Sequence, residues 1–97
     1  MFTVKMHRSG GDLLLAAADK ELLGKKFKEG PLRLEVLPSF YHGEDADEEI
    51  LLNRLSICSV ANLVGENVIK VAIRAGYIES GCVLTIEGVP HAQLAKM

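Results

Sequence analysis

His91 is the side chain best suited to chemistry in this sequence. It follows Pro90 in the run Gly88-Val89-Pro90-His91-Ala92-Gln93, where the pyrrolidine ring restricts the local backbone. An imidazole held there is fit to be a general base, a ligand or a hydrogen-bonded strut. Asn62, Glu66 and Gln93 supply the amides and the carboxylate that, joined to His91, would make one polar pocket for a small enzyme or ligand-binding protein. His91, Asn62 and Glu66 also have plainer explanations. His91 pins its loop through the backbone, and Asn62 and Glu66 lie four apart across a presumed helix junction, where Asn suits a helix end and Glu a helix start. The plainer explanations are favoured.

A second set is cationic. Lys20, Lys25, Lys26, Lys28 and Arg33 are the candidate surface for an anionic partner such as RNA. They are interleaved with Asp19, Glu21 and Glu29, and only Phe27 among them is aromatic, so an ordinary solvated face is the competing explanation. Phe40-Tyr41-His42 offers rings that would stack on a base or plug the end of a core. Glu44-Asp45-Ala46-Asp47-Glu48-Glu49 places five acids in six residues. The spacing lacks the Gly and distal Glu of a calcium loop, and the cluster reads instead as the start of a helix, with Asp45 or Asp47 as its cap.

Other chemistry is missing from the pattern. No phosphate-cradling GxxxxGK[ST], dinucleotide GxGxxG, nucleophile-elbow GxSxG or metalloprotease HExxH occurs. Cys58 and Cys82 match no zinc spacing and are expected to act as small buried hydrophobes. The sequence thus calls for no metal and no cofactor. An enzyme is the less favoured class.

Composition sets the frame for these residues. The chain has 97 residues, 48% of them hydrophobic, and a formal charge of −2. That excludes a disordered segment, and no apolar run approaches the roughly 20 residues of a membrane span. The start, Met1 to Arg8, lacks a signal peptide's apolar stretch, so a cytoplasmic location is expected. Residues 1–43 carry a net +2 and residues 44–97 a net −4. Dedicated nucleic-acid binders advertise a more basic domain.

The elements that must position these residues follow from periodicity. Phe2, Val4 and Met6 alternate with Thr3, Lys5 and His7, giving a half-buried strand. Ser9-Gly10-Gly11-Asp12 turns the chain, and Leu13 to Ala18 returns as a hairpin partner. Asp19 reads as the cap of a short helix at Lys20–Leu23. Leu32 to Leu37 is a third strand closed by Pro38. A helix follows the acidic cluster through Leu51, Leu55 and Cys58. Asn62 to Gly65 reads as a break before a second helix, Glu66 to Ala75, with Gly76 as its stop. Cys82 to Ile86 and His91 to Met97 are the last strands. The order ββαβααββ predicts one α+β domain over residues 1–97: a small, mostly antiparallel sheet of about five strands with helices on one face.

The run Ala61-Asn62-Leu63-Val64-Gly65-Glu66, the apolar stretch Val68 to Ala72, Gly76, and Gly88-Val89-Pro90-His91-Ala92-Gln93 together resemble a family of small archaeal proteins known as domain of unknown function 424. The Gly10-Gly11 turn, Leu22-Leu23-Gly24-Lys25 with Phe27, and Phe40-Tyr41 before the acidic helix start agree, so the resemblance spans the chain. It implies an archaeal, cytosolic, stand-alone domain of the length seen here. It implies no established activity and no catalytic residues, and it carries a loose association with translation-related genes.

Three functions follow as expectations. The first is a non-catalytic accessory module that binds a protein or RNA partner, with Lys20, Lys25, Lys26, Lys28 and Arg33 as the RNA surface. The second is a small enzyme or ligand-binding protein built on His91, Asn62, Glu66 and Gln93. The third, compatible with either, is a homodimer formed by pairing sheet edges. No membrane association is expected.

Overall fold

A computed structural model describes residues 1–96. The chain opens as a long hairpin, β1 (Phe2–Ser9) and β2 (Asp12–Asp19), in register from Phe2 opposite Asp19 to Ser9 opposite Asp12. A 3₁₀ turn (Lys20–Leu22) leads to a short hairpin, β3 (Lys26–Glu29) and β4 (Leu32–Glu35), and then to a single helical turn, α1 (Pro38–Tyr41). Next come β5 (Glu44–Ala46), α2 (Glu48–Ile57), β6 (Val60–Val64) and α3 (Glu66–Arg74). A second 3₁₀ turn (Ser80–Cys82) precedes β7 (Leu84–Ile86) and β8 (Val89–Ala95).

The architecture is α+β, as expected, with a richer sheet. Six strands lie in the order β5-β1-β2-β6-β8-β7, and β3-β4 form a separate two-stranded sheet. Among the described residues only β2 and β6 run parallel; the other pairings are antiparallel. Three of the strands depart from the sequence reading. A break between helices is expected at residues 62–65, yet Val60–Val64 form the central strand β6, because Ala61 and Leu63 are apolar on one side and β2 offers a free edge. The acidic stretch begins with strand β5, whose Glu44–Ala46 pair with Phe2–Val4 across a long sequence separation. The charged β3 is held by its pairing with β4 rather than by apolar alternation.

The layers follow from strand alternation. Val4, Leu15, Ala17, Ala61, Leu63 and Ala92 face α2 and α3, which contribute Leu51, Leu55, Val68 and Ala72 to the main core. The opposite face is covered only in part. Ala16, Ala18, Val64 and Ile86 pack there against Leu34 and Val36 of the small hairpin and Tyr41 of α1. The helices therefore divide: α2 and α3 on one face, the short α1 on the other. With no Trp in the chain, aliphatic side chains carry the packing. Leu15, Leu51, Leu55 and Leu63 are fully buried, each stabilising the fold by about 1.5–3 kcal/mol relative to exposure.

Asp47 caps α2 as the acidic pattern anticipates: its Oδ1 accepts from the Ile50 N–H at 2.9 Å. Asp19 does not cap the 3₁₀ turn that follows it. Its carboxylate reaches across the sheet to α3, where Oδ2 accepts from the Asn67 N–H at 3.0 Å and Oδ1 from the Val68 N–H at 2.9 Å. The cysteines also divide. Cys58 is buried, but Cys82 is exposed at the end of the second 3₁₀ turn, because β7 begins only at Leu84.

Candidate functional site

Asn62, His91 and Gln93 share the sheet face that the small hairpin leaves partly open. Asn62 on β6 stands opposite Gln93 on β8, and His91 is opposite Val64. His91 is thus the diagonal neighbour of Asn62, about 7–8 Å away on the same face. On its other side His91 pairs with Leu84 of β7. A groove of about 250 Å³ runs here, lined by Cys82, Leu84, His91, Ala92 and Gln93. His91 is half-buried, and burial alone pushes its pKa below the usual imidazole value. Burial thus favours the neutral imidazole, with one ring nitrogen a donor and the other an acceptor.

Glu66 is not part of this groove. It sits in the first turn of α3 and lines a different cleft, with Asp19, Glu21, Leu22 and the Gly88–Pro90 turn. Its carboxylate lies 3.5 Å from Lys70 one helical turn on. Of the four residues considered for a polar pocket, His91 and Gln93 line the groove, Asn62 stands beside them on the same face of β6, and Glu66 lies elsewhere. The set of Asn62, His91 and Gln93 offers neutral hydrogen-bond donors and acceptors, with no acid beside the imidazole. Among the described residues, no group of three His, Cys, Asp or Glu side chains is placed to hold a metal ion.

The cationic residues sort differently. Lys20 is engaged by Asp45 at 2.6 Å, and that hydrogen bond holds the Asp45 carboxyl below its ordinary pKa. Lys25 lies just before β3, exposed. Lys26 and Lys28 on β3 and Arg33 on β4 point to one side of the small hairpin, with Lys28 directly opposite Arg33 and Lys26 opposite Glu35. None of the ion pairs among the described residues includes Lys25, Lys26, Lys28 or Arg33. Phe27 alternates inward against the second core, so the hairpin's outer side carries cations without an exposed ring. A cleft of about 230 Å³ lies against it, lined by Lys26, Phe27, Lys28, Arg33, Glu35 and Glu87.

Glu87 fixes this hairpin to the sheet. It sits in the turn between β7 and β8 with a φ of 50°. Its Oε2 accepts from the Lys28 N–H at 2.7 Å, and its own N–H donates to Glu29 Oε1 at 2.9 Å. The two glutamates are thus occupied with backbone groups, and the hairpin is held by both ends of one reciprocal clasp. Sequence reasoning missed Glu87 because its partners lie 58 and 59 residues away. Of the Phe40-Tyr41-His42 rings, Tyr41 is buried and Phe40 stacks on His7 at 4.6 Å, while His42 is exposed, 3.6 Å from the Asp45 carboxylate.

A family model described as "Protein of unknown function (DUF424)" matches residues 7–97. An uncharacterised conserved protein from Methanopyrus kandleri, known from its crystal structure, superposes with a TM-score of 0.82 over 99% of this chain and 93% of its own. The two are 22% identical in sequence, which establishes a common fold. No protein of curated function matches the chain. Neither description names an activity, and neither mentions translation. No helix among the described residues is long and apolar enough to cross a membrane.

Proposed function

The chain belongs to the DUF424 family of proteins of unknown function, and from that premise we propose that it is a non-catalytic binding module that presents the β3–β4 hairpin to the phosphate backbone of an RNA. One observation carries this reading: Lys28 stands directly opposite Arg33 on the exposed side of the hairpin. Like charges facing each other across two strands destabilise the pair, whereas an acid at either position would stabilise it. Lys26 lies on the same side and Lys25 adjoins it, and none of the four is neutralised by an ion pair among the described residues. An anionic partner removes the repulsion on binding.

The reading narrows the cationic set expected from the sequence to Lys25, Lys26, Lys28 and Arg33, since Lys20 serves Asp45. A contact of this kind is electrostatic and not base-specific. A cytoplasmic setting belongs to the same proposal. Cys58 and Cys82 are both free thiols, the state that a reducing compartment maintains.

The test is binding of a labelled oligouridylate across a salt series. Three phosphate contacts give a slope of about −2 in log K against log salt for a single strand. Charge reversal at Lys26, Lys28 and Arg33 together abolishes binding at low salt. Absence of low-salt binding by the unaltered protein, or retention by the triple variant, overturns the reading. Salt-independent capture of an acidic protein instead of RNA would reassign the hairpin to a protein partner.

A further inference from the structure

Strand β8 is longer than the strand outside it. It runs from Val89 to Ala95, but β7 pairs only with Val89, Pro90 and His91. The ladder to β6 on the inner side continues to Ala95. Residues 92–95 therefore have a partner on one side only. The hydrogen-bond alternation says which groups this leaves open. Gly65 N–H donates to Pro90 C=O, and Lys96 N–H donates to Ser59 C=O. Even-numbered residues of β8 thus turn their backbone toward β6, and odd-numbered residues turn theirs outward. The outward groups of Val89 and His91 meet β7. Those of Gln93 and Ala95 have no backbone partner among the described residues.

The open edge has definite ends. At one end β7 stops at Leu84, with Cys82 exposed beside it. At the other, Lys96 turns inward, its Nζ donating to Leu55 C=O and lying 5.3 Å from the Tyr77 ring centroid. Between them lie Ala92, Gln93, Leu94 and Ala95, none of them charged. Edges exposed to solvent are usually guarded by charge or proline, and the opposite edge of this same sheet is: β5 carries Glu44 and Asp45. The groove lined by Cys82, Leu84, His91 and Gln93 adjoins the open segment, and Leu84 is 58% exposed.

We propose that residues 92–95 of β8 are a docking edge for an extended, uncharged peptide segment of a partner protein, added to the sheet in line with β7. Main-chain donors and acceptors of Gln93 and Ala95 supply the ladder, and the groove at Leu84 and His91 receives an alternate side chain of the peptide. The occupant follows from the edge itself. Two outward residues in a row present N–H and C=O at strand spacing, which another backbone matches and a small ligand does not. Four residues span only about 13 Å, so the edge by itself supplies only a small part of the roughly 800 Å² per partner that a stable dimer buries. A peptide suits the edge better than a second copy of the chain. Docking here does not depend on the hairpin binding RNA.

The experiment uses the whole chain against an array of uncharged hexapeptides, followed by amide chemical-shift mapping with the tightest binder. The expected shifts centre on the Gln93 and Ala95 N–H groups, with His91 and Leu84 beside them. Gln93→Pro removes an outward N–H while leaving the β6 ladder intact, and lowers affinity at least about tenfold. Gln93→Ala keeps the backbone and stays within about threefold. If Gln93→Pro does not fold, the same hexapeptide N-methylated at alternate residues takes its place as the test and must fail to bind. Binding that survives N-methylation, shifts centred elsewhere, or no array member binding at millimolar concentration overturns the proposal. So does a concentration-dependent dimer that protects the Gln93 and Ala95 amides, which would make a second copy the occupant.

Discussion

The Asp19 carboxylate and the backbone of Gly65 interlock: a Cβ on residue 65 would stand 2.5 Å from Asp19 Cγ. Gly65 has a φ of 111° and immediately precedes α3, whose first free N–H groups point to that carboxylate. An anion at a helix N-terminus satisfies donors and complements the dipole. Strand β2, the β6–α3 turn and α3 therefore meet at one buried acid.

Gly65→Ala is expected to destabilise the protein by about 2–4 kcal/mol, combining backbone strain with a displaced cap. Urea denaturation measures it. A loss below about 1 kcal/mol would show that the cap tolerates displacement.

Asp19 also gives stability a pH dependence of definite sign. Burial raises its pKa above 3.8, against the lowering effect of the bonds from Asn67 and Val68. The folded protein then binds the proton more readily than the unfolded chain. The contribution of Asp19 is fully present below 3.8 and is lost as pH rises through the folded value. Relative to Asp19→Asn, the unaltered protein should lose stability across that window on going from pH 3 toward neutrality. Parallel stability curves for the two proteins would contradict the assignment.

His91 behaves in the opposite sense. Its pKa is lowered from 6.5 by burial, so the unfolded state takes the proton first. Its contribution is present above 6.5 and is lost as pH falls through the folded value. His91→Gln should flatten the acid side of the stability profile, and the imidazole resonances should titrate below pH 6.5 in the native protein.

Lys28→Glu separates stability from binding. It converts a like-charge cross-strand pair with Arg33 into an opposite-charge pair, with an expected gain of about 0.2–1 kcal/mol. RNA affinity should fall in the same variant. A loss of stability would mean that the two cations do not oppose each other in solution.

Thiol labelling checks the placement of the cysteines. Iodoacetamide should modify Cys82 in the native protein and Cys58 only after unfolding. Burial raises the Cys58 thiol pKa, which slows its reaction further. Native labelling of Cys58 would place that helix end in solvent.

Local signals in the sequence were sufficient for several elements. The alternation of Phe2, Val4 and Met6 and the Gly10-Gly11 turn define the first hairpin. Asp47 and the acids around it define the start of α2. What they did not show depends on distant partners. Asn62 and Gly65 carry turn-like chemistry, yet residues 60–64 are a central strand because β2 and β8 flank them. Asp19 has the sequence context of a local cap, but its acceptors serve donors 48 and 49 residues away. That Asn62, His91 and Gln93 share a face follows from the β6–β8 register, and that Glu66 lies apart follows from where α3 leaves the sheet; neither is readable from residue types.

The parallel pairing of β2 with β6 joins Leu14–Ala18 to Val60–Val64. Its partners are about half the chain apart, a separation that raises the loop-closure cost of forming the pairing. During synthesis, residues 2–19 of the β1–β2 hairpin are made before residue 60. Until then, the apolar edge from Leu14 to Ala18 is open and prone to mispairing. The midline of the finished sheet is thus the seam whose closure covers that edge.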